Sequence, residues 1–434
     1  EWLCTTLKEG GGKKIFLVSV LTSVATSERE ETPFASHVYS LWRMKKETRL
    51  AVWRKAQEDV QLLEELGFGG EYGRECTVDD EELSVFCTVG VPLQGLTRLH
   101  LSHGKGMSDA SLRLLTIAGC GANLTSVTLE YLESVTDRGI TFLTSAGCGP
   151  HLISLTLSGI ENVTDRALAS LASAGCGAKL TSLSLEDLSR VTDKGMGSLT
   201  STGSWIQLQS IRLYNMGSLT SRSLKSLASA GCGPQLTSLY LSFVRKVSDA
   251  GLESLASAGC GAELKALTLW GMQQVTDHGI SSLVSAGCGT QLTLLSVGGM
   301  QNVTDSGLES LASSGCGANL VSLTLSDLAQ VTDGGISSLA SSGCGSQLTL
   351  LSLHGLDQLT DEGIAVLAAS GCGAKLTSLC LERIPHVSGR GLASLASAGC
   401  GAMLTSLELD DVESITDEGI VSLASAGCGG HVTA

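Results

Sequence analysis

A unit of 28 residues recurs without insertion or deletion from residue 92 to residue 427. Its clearest mark is a Gly-Cys-Gly step, whose cysteine returns at Cys120, Cys148, Cys176, Cys232, Cys260, Cys288, Cys316, Cys344, Cys372, Cys400 and Cys428. Ser204 is the one interruption of that series. Such strict spacing predicts about twelve copies of one small supersecondary unit, stacked so that each copy packs on its neighbours.

Each repeat combines two periodicities. Val127 and Leu129 alternate with polar residues, which predicts a short strand with one buried face. The step Thr136-Asp137 then supplies residue types that cap helices, and Ile140 and Leu143 follow three residues apart on one helical face. The glycines of the Gly-Cys-Gly step end the helix. Each unit is therefore predicted to be a strand, a turn, a short helix and a return.

Stacking these units predicts a curved α/β solenoid. Neighbouring strands lie about 4.8 Å apart, whereas packed helices need about 8–10 Å, so the sheet must form the shorter side. We therefore expect a horseshoe with a parallel β-sheet on the concave face and helices on the convex face.

Residues 1–91 lack the repeat, so the sequence predicts a head at 1–91 and a repeat array at 92–434. Apolar and charged residues interleave over 41–66, which predicts a helix or a helix pair that ends at Gly67. The acidic, turn-rich stretch 71–90 predicts a linker and a short cap over the first repeat. Because the chain starts at Glu1 rather than Met, we expect this head to be truncated.

The patterns Leu-x-x-Leu-x-Leu and Val-Thr-Asp-x-Gly-Ile/Leu-x-x-Leu-Ala resemble the leucine-rich repeat, specifically its cysteine-containing subclass, over residues 92–434. An aliphatic residue such as Leu132 replaces the subclass cysteine after the strand, and the 28-residue length is also similar to the ribonuclease-inhibitor type. The resemblance implies a non-enzymatic protein-recognition scaffold. Its best-known members are F-box proteins, which implies a substrate receptor of an SCF-type ubiquitin ligase, although the head lacks an F-box pattern. The alternative is an extracellular or surface protein for adhesion or recognition.

Composition restricts the partners. The net charge of −15 disfavours nucleic acid, and no apolar run approaches the ~20 residues that span a bilayer. No nucleophile, base and orienting group stand outside the repeat rhythm, and histidines such as His354 have no evident acidic partner. We expect a cytoplasmic, monomeric array with a protein partner, no cofactor, no metal and no enzymatic activity.

Two features recur at fixed positions of the repeat and could have a chemical role, the cysteines and the Thr-Asp steps. The cysteines are predicted to be small buried thiols that pack the turn, the alternatives being oxidised pairs or a metal site. The recurring Thr-Asp steps are predicted to cap helices, the alternative being a row of calcium ligands.

The residues that depart from the repeat are the best candidates for recognition. Outward strand positions are mostly Ser or Thr, as at Ser126 and Thr128, but three consecutive repeats carry aromatic and basic residues instead. Aromatic residues and arginine are enriched in interface hot spots. The sequence predicts a protein-binding patch of Arg212, Tyr214, Tyr240, Phe243, Arg245, Lys246 and Trp270. The competing interpretation is local repacking around the degenerate repeat at 204–231, where Ser204 and Trp205 replace the usual Cys-Gly.

Overall fold

The computed structural model describes residues 65–68, 76–88, 93–202, 205–372, 374–400, 402–412 and 414–427. It divides into two compact units, Glu1–Ser204 and Trp205–Ala434. Predictions for residues 1–64 and for Cys428 lie outside the described residues. Among the residues described, no helix combines the length and apolar content needed to cross a bilayer.

The first unit is a leucine-rich-repeat solenoid of strands that alternate with short helices. Its strands are β1 Glu65–Phe68, β2 Cys76–Asp79, β3 Arg98–Ser102, β4 Gly104–Gly106, β5 Ser126–Glu130, β6 Ser154–Ser158 and β7 Ser182–Glu186. Its helices are α1 Asp80–Thr88, α2 Asp109–Ile117, α3 Asp137–Ser145, α4 Asp165–Ser173 and α5 Asp193–Thr200, with a 3₁₀ turn at Leu93–Gly95. Strands β1, β3, β5, β6 and β7 form one parallel sheet, and β2 pairs with β4.

The second unit continues the same alternation with fewer irregularities. Its strands are β8 Ser210–Tyr214, β9 Ser238–Ser242, β10 Ala266–Trp270, β11 Leu294–Gly298, β12 Ser322–Ser326, β13 Leu350–His354, β14 Ser378–Glu382 and β15 Ser406–Asp410. Its helices are α6 Ser221–Ser229, α7 Asp249–Ser257, α8 Asp277–Ser285, α9 Asp305–Ser313, α10 Asp333–Ser341, α11 Asp361–Ala369, α12 Gly389–Ser397 and α13 Asp417–Ser425, with 3₁₀ turns at Cys316–Asn319 and Cys344–Ser346. All eight strands are parallel and in register.

The prediction of a helix over 41–66 is wrong at its described end. Glu65 and Leu66 belong to β1, which pairs in parallel with β3. The adjacent strand supplies hydrogen-bond partners for the backbone there, so tertiary pairing overrides the helical pattern of the sequence. The stretch predicted to be a linker and cap contains β2 and α1. The division into head and array remains a prediction, and the structure places two strands, β1 and β2, ahead of residue 92, the first of them in the sheet of the repeats.

The core of each unit lies between the sheet and the helices. Val127 and Leu129 are buried from the strand, and Ile140 and Leu143 are buried from the helix. The same columns are buried in repeat after repeat, so each unit of the array covers the apolar face of the next. The predicted α/β fold class, a leucine-rich-repeat solenoid with a parallel sheet opposite its helices, is confirmed.

The Thr-Asp step does more than cap its own helix. Thr136 is the cap, because its Oγ1 accepts a hydrogen bond from the backbone N of Arg138 at 3.2 Å. Asp137 instead reaches into the next repeat, where its carboxylate accepts from Thr164 N at 2.7 Å and from Thr164 Oγ1 at 2.6 Å. The capping prediction is thus confirmed for the threonine and is incomplete for the aspartate, which ties neighbouring repeats together.

This inter-repeat rung, an aspartate that binds the next N-cap residue, recurs through both units. Its members are Asp80–Ser108, Asp109–Thr136, Asp137–Thr164, Asp165–Thr192, Asp249–Thr276, Asp277–Thr304, Asp305–Thr332, Asp333–Thr360 and Asp361–Ser388. Ser221 replaces the aspartate in one repeat, and only its hydroxyl reaches Ser248, at 3.0 Å. Hydrogen bonds to a carboxylate are about twice as strong as neutral ones, so this rung is the weaker one.

The cysteine column is buried, as the sequence predicts. Each column cysteine among the described residues is at most 1 % exposed. Burial raises the pKa of the Cys120, Cys148 and Cys288 thiols to about 12, which disfavours the thiolate form needed for nucleophilic attack or metal binding. The column therefore acts as small apolar packing in the turn between helix and strand.

Candidate protein-binding surface

Alternation along each strand produces an outer sheet face, the side opposite the helices. In β8, Ile211 and Leu213 are buried in the core, while Ser210, Arg212 and Tyr214 point to the other side and are exposed or half-buried. The same alternation holds throughout β10 and up to Leu241 in β9, where the last residue, Ser242, is buried. The outer face is therefore lined by alternate residues of each strand.

Register brings the predicted residues together. Arg212 lies beside Tyr240 in the parallel pairing of β8 with β9, and Trp270 lies in the row of Tyr214, with Ser242 between them. Phe243, Arg245 and Lys246 follow the end of β9. We call the seven residues Arg212, Tyr214, Tyr240, Phe243, Arg245, Lys246 and Trp270 the aromatic patch. All seven lie within the second unit, on three consecutive strands and the segment that leaves β9.

Ring and cation contacts connect the members of the aromatic patch. The guanidinium carbon of Arg212 lies 3.9 Å from the centre of the Tyr240 ring, a cation–π contact. Tyr214 and Phe243 meet edge to face with ring centres 5.8 Å apart, and the Arg245 guanidinium lies 6.0 Å from the Phe243 ring. These contacts hold the side chains in place while they remain at the surface.

Exposure separates the aromatic patch from the core. Its four rings are half-buried, and Arg212, Arg245 and Lys246 are exposed. Trp205, by contrast, is 0 % exposed, and its backbone N donates to Ala230 O at 3.1 Å. Repacking around the degenerate repeat therefore accounts for Trp205 but leaves the patch at the surface.

Two glycines provide the floor of the aromatic patch, a feature that the sequence reasoning missed. A methyl group added at Gly271 would lie 2.6 Å from Phe243 Cδ1, and one added at Gly298 would lie 2.9 Å from Trp270 Cε2. The Trp270 indole Nε1 also donates to Ser296 Oγ at 2.7 Å. Phe243 thus lies against the residue that follows β10, and Trp270 lies against β11. The available signal was Gly298, a glycine within a strand, which often marks a close approach.

The position after each repeat strand is left-handed, including at non-glycine residues. These are His103, Tyr131, Asp187, Asn215, Phe243, Asp327, Arg383 and Asp411, with φ between 48° and 54°. The backbone N of Phe243 donates to Trp270 O at 2.8 Å, and the equivalent bond recurs in other repeats. Left-handed non-glycine residues are unfavourable, so the inter-strand bond compensates for that conformation. This column varies in chemistry and adjoins the outer face.

Charge is unevenly distributed along the chain. Residues 205–248 contain five lysines and arginines and no aspartate or glutamate, although the whole chain has a net charge of −15. Ser221 contributes to this imbalance because it replaces a rung aspartate. The segment that carries most of the aromatic patch is therefore cationic within an acidic protein.

The outer face of the first unit has a different chemistry. The His103 and Tyr131 rings lie 4.7 Å apart, and Ser184 Oγ donates to a Glu186 carboxylate oxygen at 2.7 Å. Burial, reinforced by the charge of Glu186, raises the pKa of Glu130. Acidic and hydroxyl groups dominate the outer positions of β5, β6 and β7.

A Ser-His-Glu sequence of neighbours crosses β12, β13 and β14, which corrects the expectation that His354 lacks an acidic partner. His354 Nδ1 lies 3.2 Å from Ser326 Oγ, and its Nε2 lies 3.6 Å from Glu382 Oε1. Ser326 is only 1 % exposed and its hydroxyl donates to Asp327 Oδ2. A substrate cannot reach a hydroxyl buried in this way, so the geometry does not fit a hydrolase.

Within the described part of the chain, no group of three or more His, Cys, Asp or Glu side chains could hold a metal ion. An open groove of about 510 Å³ runs beside the starts of β10, β11 and β12, lined by Lys265, Gln291, Thr293, Ala318, Asn319, Val321 and Gln347. Its lining mixes polar and apolar groups and lacks a titratable cluster of the kind used in catalysis.

Solved structures include one with a similar fold. No protein-family model and no curated protein sequence matches the chain. Rad7, in the structure of the yeast Rad7–Elc1 complex, is similar over 89 % of this chain and 93 % of that one, with a TM-score of 0.51 and 18 % identity. An internalin, InlF of Listeria monocytogenes, aligns with 74 % of this chain and 88 % of its own, with a TM-score of 0.43 and 19 % identity. At such identity the likeness to Rad7 concerns the fold.

Proposed function

We propose that this protein is a non-enzymatic scaffold that binds another protein through the outer sheet face of its second unit. The observation that carries the proposal is the aromatic patch, in which rings and cations from three consecutive strands lie together at the surface. Tyr, Trp and Arg are the residue types that dominate binding energy at protein interfaces.

The mechanism of binding is preorganisation. Trp270 is oriented by Ser296 and by the backbone at Gly298, and Tyr240 is covered by Arg212. Rings that are already ordered lose little conformational freedom when a partner docks, so more of the contact energy appears as affinity. The aspartate rungs and the buried columns hold the strands in register, which fixes the spacing of the patch.

A narrower form of the proposal is a substrate receptor in a cytoplasmic ubiquitin-ligase assembly. The repeat patterns resemble those of F-box leucine-rich-repeat proteins, and Rad7, which shares the fold, was crystallised with a second protein, Elc1. In this arrangement the aromatic patch would hold the substrate, and another part of the chain would hold the ligase.

A capture experiment tests the general proposal. The full chain and a variant carrying Tyr214→Ala, Tyr240→Ala and Trp270→Ala would be used to capture proteins from a reduced cell extract, followed by quantitative mass spectrometry. Because these rings are surface groups, we expect the variant to fold normally and to lose the specific partners.

The matched control is a variant with Thr128→Ala and Thr156→Ala, which changes the repeat position of Tyr240 on the outer face of the first unit. We expect it to retain every partner. Partners captured equally by all three proteins would contradict the proposal, and ubiquitin-ligase subunits among the retained proteins would support its narrower form.

A further inference from the structure

Building on the proposed function, we propose that the aromatic patch binds an acidic peptide segment in which an apolar side chain is flanked by carboxylates. The absence of any carboxylate over residues 205–248 points first to such a partner. Three of the five cations in this segment, Arg212, Arg245 and Lys246, belong to the patch and are exposed, so the potential around the patch is positive. Complementary charge attracts and orients an acidic ligand.

The cations at the rim are placed to meet carboxylates. Arg245 and Lys246 are consecutive and exposed, and they follow Phe243 after one buried residue, Val244. Arg245 lies 6.0 Å from that ring, so a carboxylate that contacts the guanidinium would place its neighbouring side chain near Phe243. A binding segment therefore needs acidic and apolar residues close together in its sequence.

The rings of the aromatic patch favour an apolar side chain in the bound peptide. The polar edge of Trp270 is already engaged, because Nε1 donates to Ser296 Oγ at 2.7 Å. Trp270 therefore offers ring carbon to a ligand, and Phe243 has no polar atom to offer. The glycine floor at Gly271 and Gly298 makes the position of both rings sensitive to a single methyl group.

A short peptide fits this surface better than a nucleic acid. Residues 205–434 contain nine lysines and arginines against eighteen aspartates and glutamates. Glu382, Glu408 and Asp410 lie at outer positions of the later strands β14 and β15. A long polyanion would meet these charges, whereas a short acidic segment can stay on the strands that carry the cations.

Selection from a random 12-residue peptide library displayed on phage tests the inference. The immobilised full chain would be the target, and the Trp270→Ala variant would remove peptides that bind elsewhere. We expect the recovered peptides to pair Asp or Glu with Phe, Trp, Leu or Ile. Their affinity should fall by at least about tenfold between 50 and 500 mM NaCl, because exposed charge pairs are screened by salt.

Two variants of the full chain separate charge from ring geometry. Arg245→Glu with Lys246→Glu should weaken a selected peptide about 10–100-fold by reversing the rim charge. Gly298→Ala should weaken it about tenfold by displacing the Trp270 ring, a positioning effect on a hot-spot side chain. Gly217→Ala is the matched control, since a methyl group there meets no atom within 4 Å, and it should bind like the native chain.

The outcomes distinguish this inference from the proposed function. Trp270-dependent peptides that lack carboxylates, or that bind equally at high salt, would overturn the acidic partner and leave the protein-binding patch standing. Recovery of no Trp270-dependent peptide would overturn the inference, and the capture experiment would then decide the proposed function independently. Tighter binding of a 20-nucleotide oligothymidylate or oligouridylate, lost in the same variants, would also overturn the inference, in favour of nucleic acid.

Discussion

Strands β5 and β6 in the first unit and β8 to β10 in the second have the same frame and different outer faces. Val127 and Leu129 occupy the buried positions of β5, as Leu239 and Leu241 do in β9. On the outer face, however, Thr128 stands where β9 has Tyr240. One set of alternate residues therefore specifies the fold, and the interleaved set is free to specify a partner.

The fold tolerates this variation because the outer-face side chains lie outside the core. Outer-face residues contact one another and the backbone of the next strand, as Trp270 contacts Gly298, without entering the core. Rungs and buried columns carry the stability on the other side of the sheet. Substitutions on the two faces should consequently have separable effects.

The largest expected effect is a difference in stability between variants at two neighbouring residues of β9, Leu241 and Tyr240. Leu241→Ala, at a position 0 % exposed, should lower the free energy of unfolding by about 2–5 kcal/mol because it leaves a cavity. Tyr240→Ala should lower it by less than about 1 kcal/mol, the loss of one surface cation–π contact. Urea denaturation followed by circular dichroism would measure both. Equal losses would break the division of roles between alternate residues.

The second largest expected effect is a loss of stability when a rung aspartate is removed. Asp277→Ala removes a carboxylate that accepts two hydrogen bonds from Thr304. The backbone N donates at 2.8 Å and Oγ1 donates at 2.7 Å. We expect a loss of about 2 kcal/mol in the free energy of unfolding, since hydrogen bonds to charged groups contribute about 1.5–3 kcal/mol. Peptide affinity should be unchanged. A variant as stable as the native chain would show that the rungs do not hold the repeats together.

A smaller effect is the dependence of stability on pH at the cysteine column. Burial raises the pKa of Cys288 to about 12, so its contribution is complete below the pKa of the unfolded thiol and is lost as the pH rises towards 12. Between pH 9 and 10 the free energy of unfolding of the native chain should fall by about 1 kcal/mol more than that of Cys288→Ala. One proton accounts for about 1.4 kcal/mol per pH unit at most. Reversible unfolding under reducing conditions checks this, and parallel pH profiles for the two proteins would refute it.

The smallest effect is a gain at the weak rung. Ser221→Asp restores the residue found in the other rungs and should bind Ser248 N and Oγ, where Ser221 now makes 3.0 Å contacts. We expect the free energy of unfolding to rise by about 0.5 kcal/mol or slightly more, because charge-assisted hydrogen bonds are stronger than neutral ones even at a partly exposed site. Thermal unfolding would detect it as a rise in Tm, and a fall in Tm would indicate that serine is preferred there.

Much of the architecture was accessible from the sequence because it is local and repeated. Alternation at Val127 and Leu129 predicted the strand, and Thr136-Asp137 predicted the start of the helix. The bond from Asp137 to Thr164 was not predictable from one repeat, because it depends on how consecutive repeats stack. For the same reason tertiary pairing turned Glu65 and Leu66 into a strand against the helical pattern.

The residues proposed as the candidate site were chosen from the sequence, which did not predict the contacts among their side chains. The aromatic residues stand out from the Ser and Thr of other repeats, and register brings them together as expected. The stacking of Arg212 on Tyr240 and the glycine floor under Phe243 and Trp270 arise from side-chain positions, which no periodicity encodes.

The most direct test of the central claim measures binding and stability on the same samples. A selected peptide would be titrated by calorimetry into the native chain, the Tyr240→Ala/Trp270→Ala variant and the Thr128→Ala/Thr156→Ala variant, each also unfolded thermally. The account predicts that only the first variant loses affinity, by at least about 30-fold, a loss of about 2 kcal/mol that is typical of a hot spot. It also predicts that all three proteins unfold at nearly the same temperature. Equal affinity of the three proteins, or a loss of binding that merely follows a loss of stability, would contradict it.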